Sequence, residues 1–167
     1  MVVGTSGSGK TTFARRLAQV LGRDHIELDA LHWGPDWTPR PEFPDLVRAA
    51  VAAETWIVDG NYRGVRDLVW GRATAIVWLN YPFRVVFGRA LARTIKRVVT
   101  REALYSGNRE SFRGAFLDRE GIPWWVFRTF RSRRREYPVL LREPQFRHLA
   151  VVELHSEAQA LAVLEDQ

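Results

Sequence analysis

Val2-Val3-Gly4-Thr5-Ser6-Gly7-Ser8-Gly9-Lys10-Thr11-Thr12-Phe13 opens the chain and decides its fold class. Two β-branched residues run into a glycine-rich turn, and residues 4–11 meet the pattern G-x-x-x-x-G-K-[ST] at every fixed position. Downstream, Phe13, Leu17, Val20 and Leu21 recur at helical spacing, and Gly22 closes the helix they imply. In that strand–turn–helix setting the glycines let successive N–H groups point into one concavity at a helix N-terminus, which suits an anion. Lys10 is long enough to reach β- and γ-phosphates, and the Thr11 hydroxyl can ligate Mg²⁺. Gly4, Thr5, Ser6, Gly7, Ser8, Gly9, Lys10, Thr11 and Thr12 are therefore the candidate nucleotide-binding set, with ATP and Mg²⁺ as the expected cofactors. Only three residues precede Gly4, against about five or six in a typical strand, so the sequence is expected to begin inside its first strand.

Beyond that segment, short apolar runs alternate with helical periodicity, the pattern of a parallel α/β sheet. Strands are expected at 25–28, 56–58, 75–79 and 149–154, and helices at about 41–53, 64–70, 83–100, 122–136 and 156–164. No repeat, low-complexity tract or linker interrupts the 167 residues, so a single domain is expected over 1–167. Hydrophobic residues make up 46% and charged residues 26%, which excludes wholesale disorder. There is no cysteine, so disulfides and cysteine-based metal sites are excluded. No apolar run approaches a membrane span and Met1-Val2-Val3 carries no signal-peptide pattern, so no membrane partner and a cytoplasmic location are expected.

Two carboxylates close strands at the sheet edge where the glycine-rich turn lies. Asp59 follows Trp56-Ile57-Val58, the arrangement by which an apolar strand delivers an acid to a metal shell; its alternative is to begin the Asp59-Gly60-Asn61-Tyr62 turn. Asp29 ends the second strand, as general base toward an acceptor hydroxyl, as part of the metal shell, or as a helix or turn cap. Two insertions stand out: residues 30–40, with His32, Trp33 and Trp37 among prolines, and residues 101–121, polar and rich in glycine and arginine. The aromatics suit stacking on a base or sugar, or a small satellite core.

Basic residues outnumber acidic ones 25 to 19, and all but Lys10 and Lys96 are arginines. Arginine forks bind phosphate bidentately, and the net charge of +6 suits either a phosphorylated substrate or nucleic acid. Arg89, Arg93, Arg97 and Arg101 recur every four residues and form one basic stripe, followed by Arg109 and Arg113 in the second insertion and Arg128, Arg131, Arg133, Arg134 and Arg135 beyond it. Such a stripe is either a solvated face or a set that closes over a transferring phosphoryl group.

The glycine-rich segment, Asp59-Gly60-Asn61-Tyr62-Arg63 and Arg89-Ala90-Leu91-Ala92-Arg93 together resemble the adenylate-kinase-like nucleotide kinases. Leu28-Asp29-Ala30-Leu31-His32-Trp33-Gly34-Pro35-Asp36-Trp37, with Gly107-Asn108-Arg109-Glu110-Ser111, is more particularly similar to bacterial proteins labelled topology modulation proteins (FlaR type), and the likeness spans essentially the whole chain. The resemblance implies a three-layer P-loop NTPase fold, with a five-stranded parallel sheet in the order 2-3-1-4-5 and a small arginine-rich lid near 101–121. It implies Asp59 in the Mg²⁺ shell, Arg63 on an acceptor phosphate, Arg89 on the adenine face and Arg93 on the phosphates, with a further lid pair from Arg128 to Arg135. Trp33, Pro35 and Trp37 stand where AMP-recognising residues would be, a departure that argues against AMP as acceptor.

The expected activity is Mg-ATP-dependent transfer of the γ-phosphoryl group to a small nucleotide-like or hydroxyl-bearing acceptor. Catalysis would rest on Lys10, Asp29, Arg63, Arg93, Arg109 and Arg113, and the metal on Thr11 and Asp59. The alternatives are a nucleotide-switched nucleic-acid-binding regulator and a plain NTPase. A monomer or weak dimer is expected.

Overall fold

Strand parity sorts the core into two halves. In the computed structural model, which describes residues 1–112, 114, 116 and 121–166, five strands form one sheet. They are β1 (Val2–Gly4), β2 (His25–Glu27), β3 (Ile57–Asp59), β4 (Ala75–Leu79) and β5 (Ala150–Leu154). Their order is β2-β3-β1-β4-β5 with every neighbouring pair parallel, the order that the resemblance implies. Parallel strands covered on both faces read as unbroken apolar runs, as Ile76-Val77-Trp78-Leu79 does.

The helices are α1 (Lys10–Leu21), α2 (Leu28–His32), α3 (Phe43–Ala50), α4 (Arg66–Trp70), α5 (Phe83–Thr100), α6 (Ile122–Leu140) and α7 (Glu157–Glu165). Val3, Val58, Ile76 and Trp78 pack on one face of the sheet against Phe43 and Val47 of α3 and Val69 and Trp70 of α4. Val2, Ile57, Val77 and Leu79 pack on the other against Phe13 and Leu17 of α1, Val86 and Ala90 of α5 and Ala160 of α7. The result is three layers. Helix α6 serves both halves, giving Val126 and Phe130 to the second and Tyr137 to the first. Tyr137 meets Trp70 and Trp78 edge-on at 6.0 and 5.3 Å, contacts worth about 0.5–1.5 kcal/mol each beyond their burial.

Several boundaries differ from the sequence reading. Strand β2 ends at Glu27, because Leu28 turns its side chain into the core and begins the single-turn helix α2. Asp29 therefore sits in the first turn of a helix instead of at a strand end. Helix α6 runs past 136 across Pro138, whose missing N–H leaves only the Arg134 carbonyl without its helical donor. Among the described residues no helix is long and apolar enough to cross a membrane. Residues 113, 115 and 117–120 of the expected lid, Arg113 included, lie outside the described residues.

Candidate functional site

The glycine-rich turn bridges the end of β1 and the start of α1. Gly9 is the left-handed N-cap of α1, and Gly7 has φ 87° with its Cα so close to α5 that a Cβ would stand 2.3 Å from the Val86 carbonyl oxygen. No other residue fits there. The first turn of α1 leaves its N–H groups without intrahelical acceptors, and the buried Ser8 Oγ has no hydrogen-bond partner among the described residues.

Lys10 is the first residue of α1. Its ammonium has only the Thr5 carbonyl, at 3.5 Å, as a hydrogen-bond partner, and no carboxylate lies within ion-pair distance among the described residues. Desolvation pulls its pKa from 10.5 to about 8; the fields of Asp59 and Asp29 oppose that shift, and those of Arg133 and Arg93 add to it. An under-compensated cation at a helix N-terminus gains from any anion that arrives.

Parity brings the acidic groups to α1. Glu27 pairs in register with Asp59, and His25, two residues before Glu27, shares its face. The Thr11 hydroxyl donates to Asp59 Oδ1 at 3.0 Å, with Glu27 Oε1 at 3.4 Å, and His25 Nε2 lies 2.7 Å from Asp59 Oδ2. Asp59 is 1% exposed, and each of its carboxylate oxygens has one of these neighbours. Of the next three residues, Gly60 and Tyr62 reach α2, and Asn61 reaches β1 and α6. Gly60, at φ 140°, lets Leu28 approach to within 2.7 Å of where a Cβ would be. The Asn61 amide brackets Gly4, donating to its carbonyl and accepting from Tyr137 Oη at 2.8 Å. Tyr62 Oη donates to Asp29 Oδ1 at 2.6 Å, and burial, reinforced by Asp29, raises the phenol far above its ordinary value.

The two insertions meet. Each forms a small hairpin around a 3₁₀ turn, with the isolated antiparallel bridge Trp33–Pro39 in one and Ala103–Arg109 in the other. Buried Asn108 joins them: its Oδ1 accepts from Trp37 N at 3.2 Å and its Nδ2 donates to Gly34 O at 2.8 Å. Ser106 Oγ donates to Trp33 O at 2.8 Å. The same loop delivers Tyr105, whose hydroxyl donates to Glu27 Oε1. Burial raises the Glu27 carboxyl above its usual range; the Tyr105 hydrogen bond opposes this, and the Asp59 and Asp29 charges add to it. The aromatic insertion is a cluster, with the His32 ring 4.5 Å from Trp33, 4.8 Å from Phe43 and 4.4 Å from Tyr62.

The structure divides the arginines. Arg93 is mostly buried, its Nε has no partner among the described residues, and burial and then Arg97 disfavour its charge. Arg133 reaches the Gly4 carbonyl at 3.5 Å. The charges of both act on Lys10. Arg97 instead pairs with Glu110 at 3.1 Å. Arg89 lies over the Tyr81 ring at 5.7 Å, pairs with Glu157 at 2.6 Å and lines a cavity of about 280 Å³ beside Gly9 and Thr12. Arg63 points away: it pairs with Glu136 at 2.6 Å and its side chain is 73% exposed. Arg109 is exposed, and its carbonyl accepts from Trp37 Nε1 at 3.4 Å. The regular stripe on α5 is thus no single face in use.

Sequence reasoning singled out Lys10, Thr11, Asp29, Asp59 and Arg93, and the structure brings them together. It missed His25, Glu27 and Tyr105, and named Arg133 only within a run of five. Strand parity was the available signal for the first two, since β2 beside β3 puts residues 25, 27 and 59 on one face. No protein-family model, curated protein or solved structure matches the chain.

Proposed function

We propose that the protein is a phosphotransferase that uses Mg-ATP and a small hydroxyl-bearing acceptor. The observation that carries this reading is Lys10, a cation short of counter-charge at the start of α1, next to Thr11 with its bond to Asp59 and within the fields of Arg93 and Arg133. The donor set suits Mg²⁺: hard oxygens from one hydroxyl and one buried carboxylate, with the remaining positions left to water and phosphate oxygens. Among the described residues no group of three His, Cys, Asp or Glu side chains forms a dedicated metal cage. When bound, Mg²⁺ neutralises charge on the transferring phosphates.

In this reading the N–H groups of residues 5–12 and Lys10 hold the ATP phosphates, and Arg89 and Tyr81 bound the cavity for the nucleoside. Asp29, held by Tyr62, accepts the acceptor's proton as the acceptor oxygen bonds to the γ-phosphorus and the bond to ADP breaks. Arg93 and Arg133 stabilise charge on the transferring group.

The test is ADP formation from Mg-ATP across nucleosides, nucleotides, sugars and hydroxy acids, with a no-acceptor control. Stimulation by one chemical class and a fall of about 10³-fold or more in Lys10→Ala are expected. Unchanged turnover in that variant sinks the proposal, and equal turnover in every well makes the protein a hydrolase.

A further inference from the structure

Three side chains pin the second insertion across the site. Tyr105 donates to Glu27 Oε1 at the end of β2, Asn108 ties the loop to the first insertion, and Glu110 pairs with the mostly buried Arg97 on α5. Between Tyr105 and Asn108 the chain holds Ser106 at φ 56°, a left-handed conformation that a residue other than glycine keeps only where its surroundings impose it. The first insertion imposes it here: Arg40 donates to Ser106 Oγ at 3.1 Å, and Ser106 Oγ donates to Trp33 O at 2.8 Å. Tyr105 therefore reaches Glu27 from a fixed turn.

Glu27 stands where that contact matters. Its Oε1 is 3.4 Å from the Thr11 hydroxyl, and it lies in register with Asp59. The Asp59 and Asp29 charges repel this carboxylate, and among the described residues its only donors are Thr11 and Tyr105. Thr11 has one proton and two acids within reach, Asp59 at 3.0 Å and Glu27. When Asp59 serves the metal, Glu27 is the acceptor left for that proton, and the Thr11 lone pairs are then free for a cation. Resting on the phosphotransferase reading, we infer that Tyr105 is a positioning residue for the metal side of the site: through Glu27 it orients the Thr11 hydroxyl, and so couples the placement of the second insertion to the binding of a magnesium-bound nucleotide. Such coupling is reciprocal, so the magnesium-bound nucleotide must in turn tighten the loop.

The experiment measures ADP binding by calorimetry, with saturating Mg²⁺ and with none, in the wild type, Tyr105→Phe, Glu27→Ala and the double variant. Tyr105→Phe removes one hydroxyl and leaves the anchors at Asn108 and Glu110, so its fold should persist. Magnesium should strengthen ADP binding in the wild type. That gain should fall about 3–10-fold in Tyr105→Phe, the worth of one hydrogen bond, while the magnesium-free affinity is unchanged. In the Glu27→Ala background the same change should add nothing. Mg-ADP should also slow amide exchange at residues 103–109 of the wild type beyond what magnesium-free ADP does, and this difference should vanish in Tyr105→Phe. An equal magnesium gain in the wild type and Tyr105→Phe, a parallel loss with and without magnesium, or additive losses in the double variant overturns the inference. In each of those cases, ADP binding that depends on Lys10 leaves the phosphotransferase reading standing. If ADP does not bind, or binds equally well to Lys10→Ala, both fall.

Discussion

The imidazole Nε2 of His25 lies 2.7 Å from Asp59 Oδ2, on the side of the carboxylate opposite the Thr11 hydroxyl. The carboxylate therefore cannot rotate without losing one of two partners, and it is held toward α1 before any ligand binds. Partners of this kind typically change metal affinity about 10–100-fold when removed. In His25→Ala, the Mg²⁺ concentration needed for half-maximal nucleotide binding should rise about tenfold or more. His25→Gln, which keeps a donor, should recover part of the loss. Equal Mg²⁺ dependence in all three proteins would show that His25 does not position Asp59.

Lys10 sets a pH dependence of stability with a definite sign. Its pKa is about 8 in the fold and 10.5 when unfolded, so between those values the unfolded chain binds more protons than the native one. The contribution of Lys10 to stability therefore rises with pH across that window, and below about 8 its desolvation cost is present in full. Lys10→Met removes that cost. Its Tm at pH 7 without nucleotide should increase by about 2–5 °C, while the stabilisation by Mg-ATP disappears. A lower Tm in the variant would contradict the electrostatic account.

Gly60 combines φ 140° with a Leu28 Cβ at 2.7 Å from its own would-be Cβ. Gly60→Ala must strain the backbone and displace a residue that is 1% exposed. A loss of about 2–4 kcal/mol in urea unfolding is expected, since both overpacking and backbone strain contribute. A change under about 0.5 kcal/mol, the ordinary surface range, would refute it.

Asn108 is the tie between the two loops. Asn108→Ala leaves Trp37 N and Gly34 O without their partner, at about 1–3 kcal/mol for buried groups. The loss should be local: faster amide exchange in residues 33–40 and 103–109, with the central strands unaffected. Uniform acceleration through the sheet would place Asn108 in the global core instead.

Local sequence was enough for the strand, glycine-rich turn and α1, because those residues specify their own backbone: only glycine reaches the φ values at 7 and 9. It also placed Asp59 at a strand end next to α1, since an apolar run followed by Asp-Gly defines that boundary without long-range help. Tertiary structure decided the rest. His25 and Glu27 reach Asp59 only because β2 lies beside β3 in one register, a fact about strand order and not about either segment. Arg93 and Arg133 were separated from Arg63, Arg89 and Arg97 by which acids lay within reach, Glu136, Glu157 and Glu110 claiming the latter three. Long flexible side chains at equal helical spacing carry no such instruction themselves. The union of the two insertions rests on hydrogen bonds between residues about 70 apart, such as Asn108 to Gly34. Spacing within either loop could not supply that contact, because it exists only once the sheet has set the distance between them.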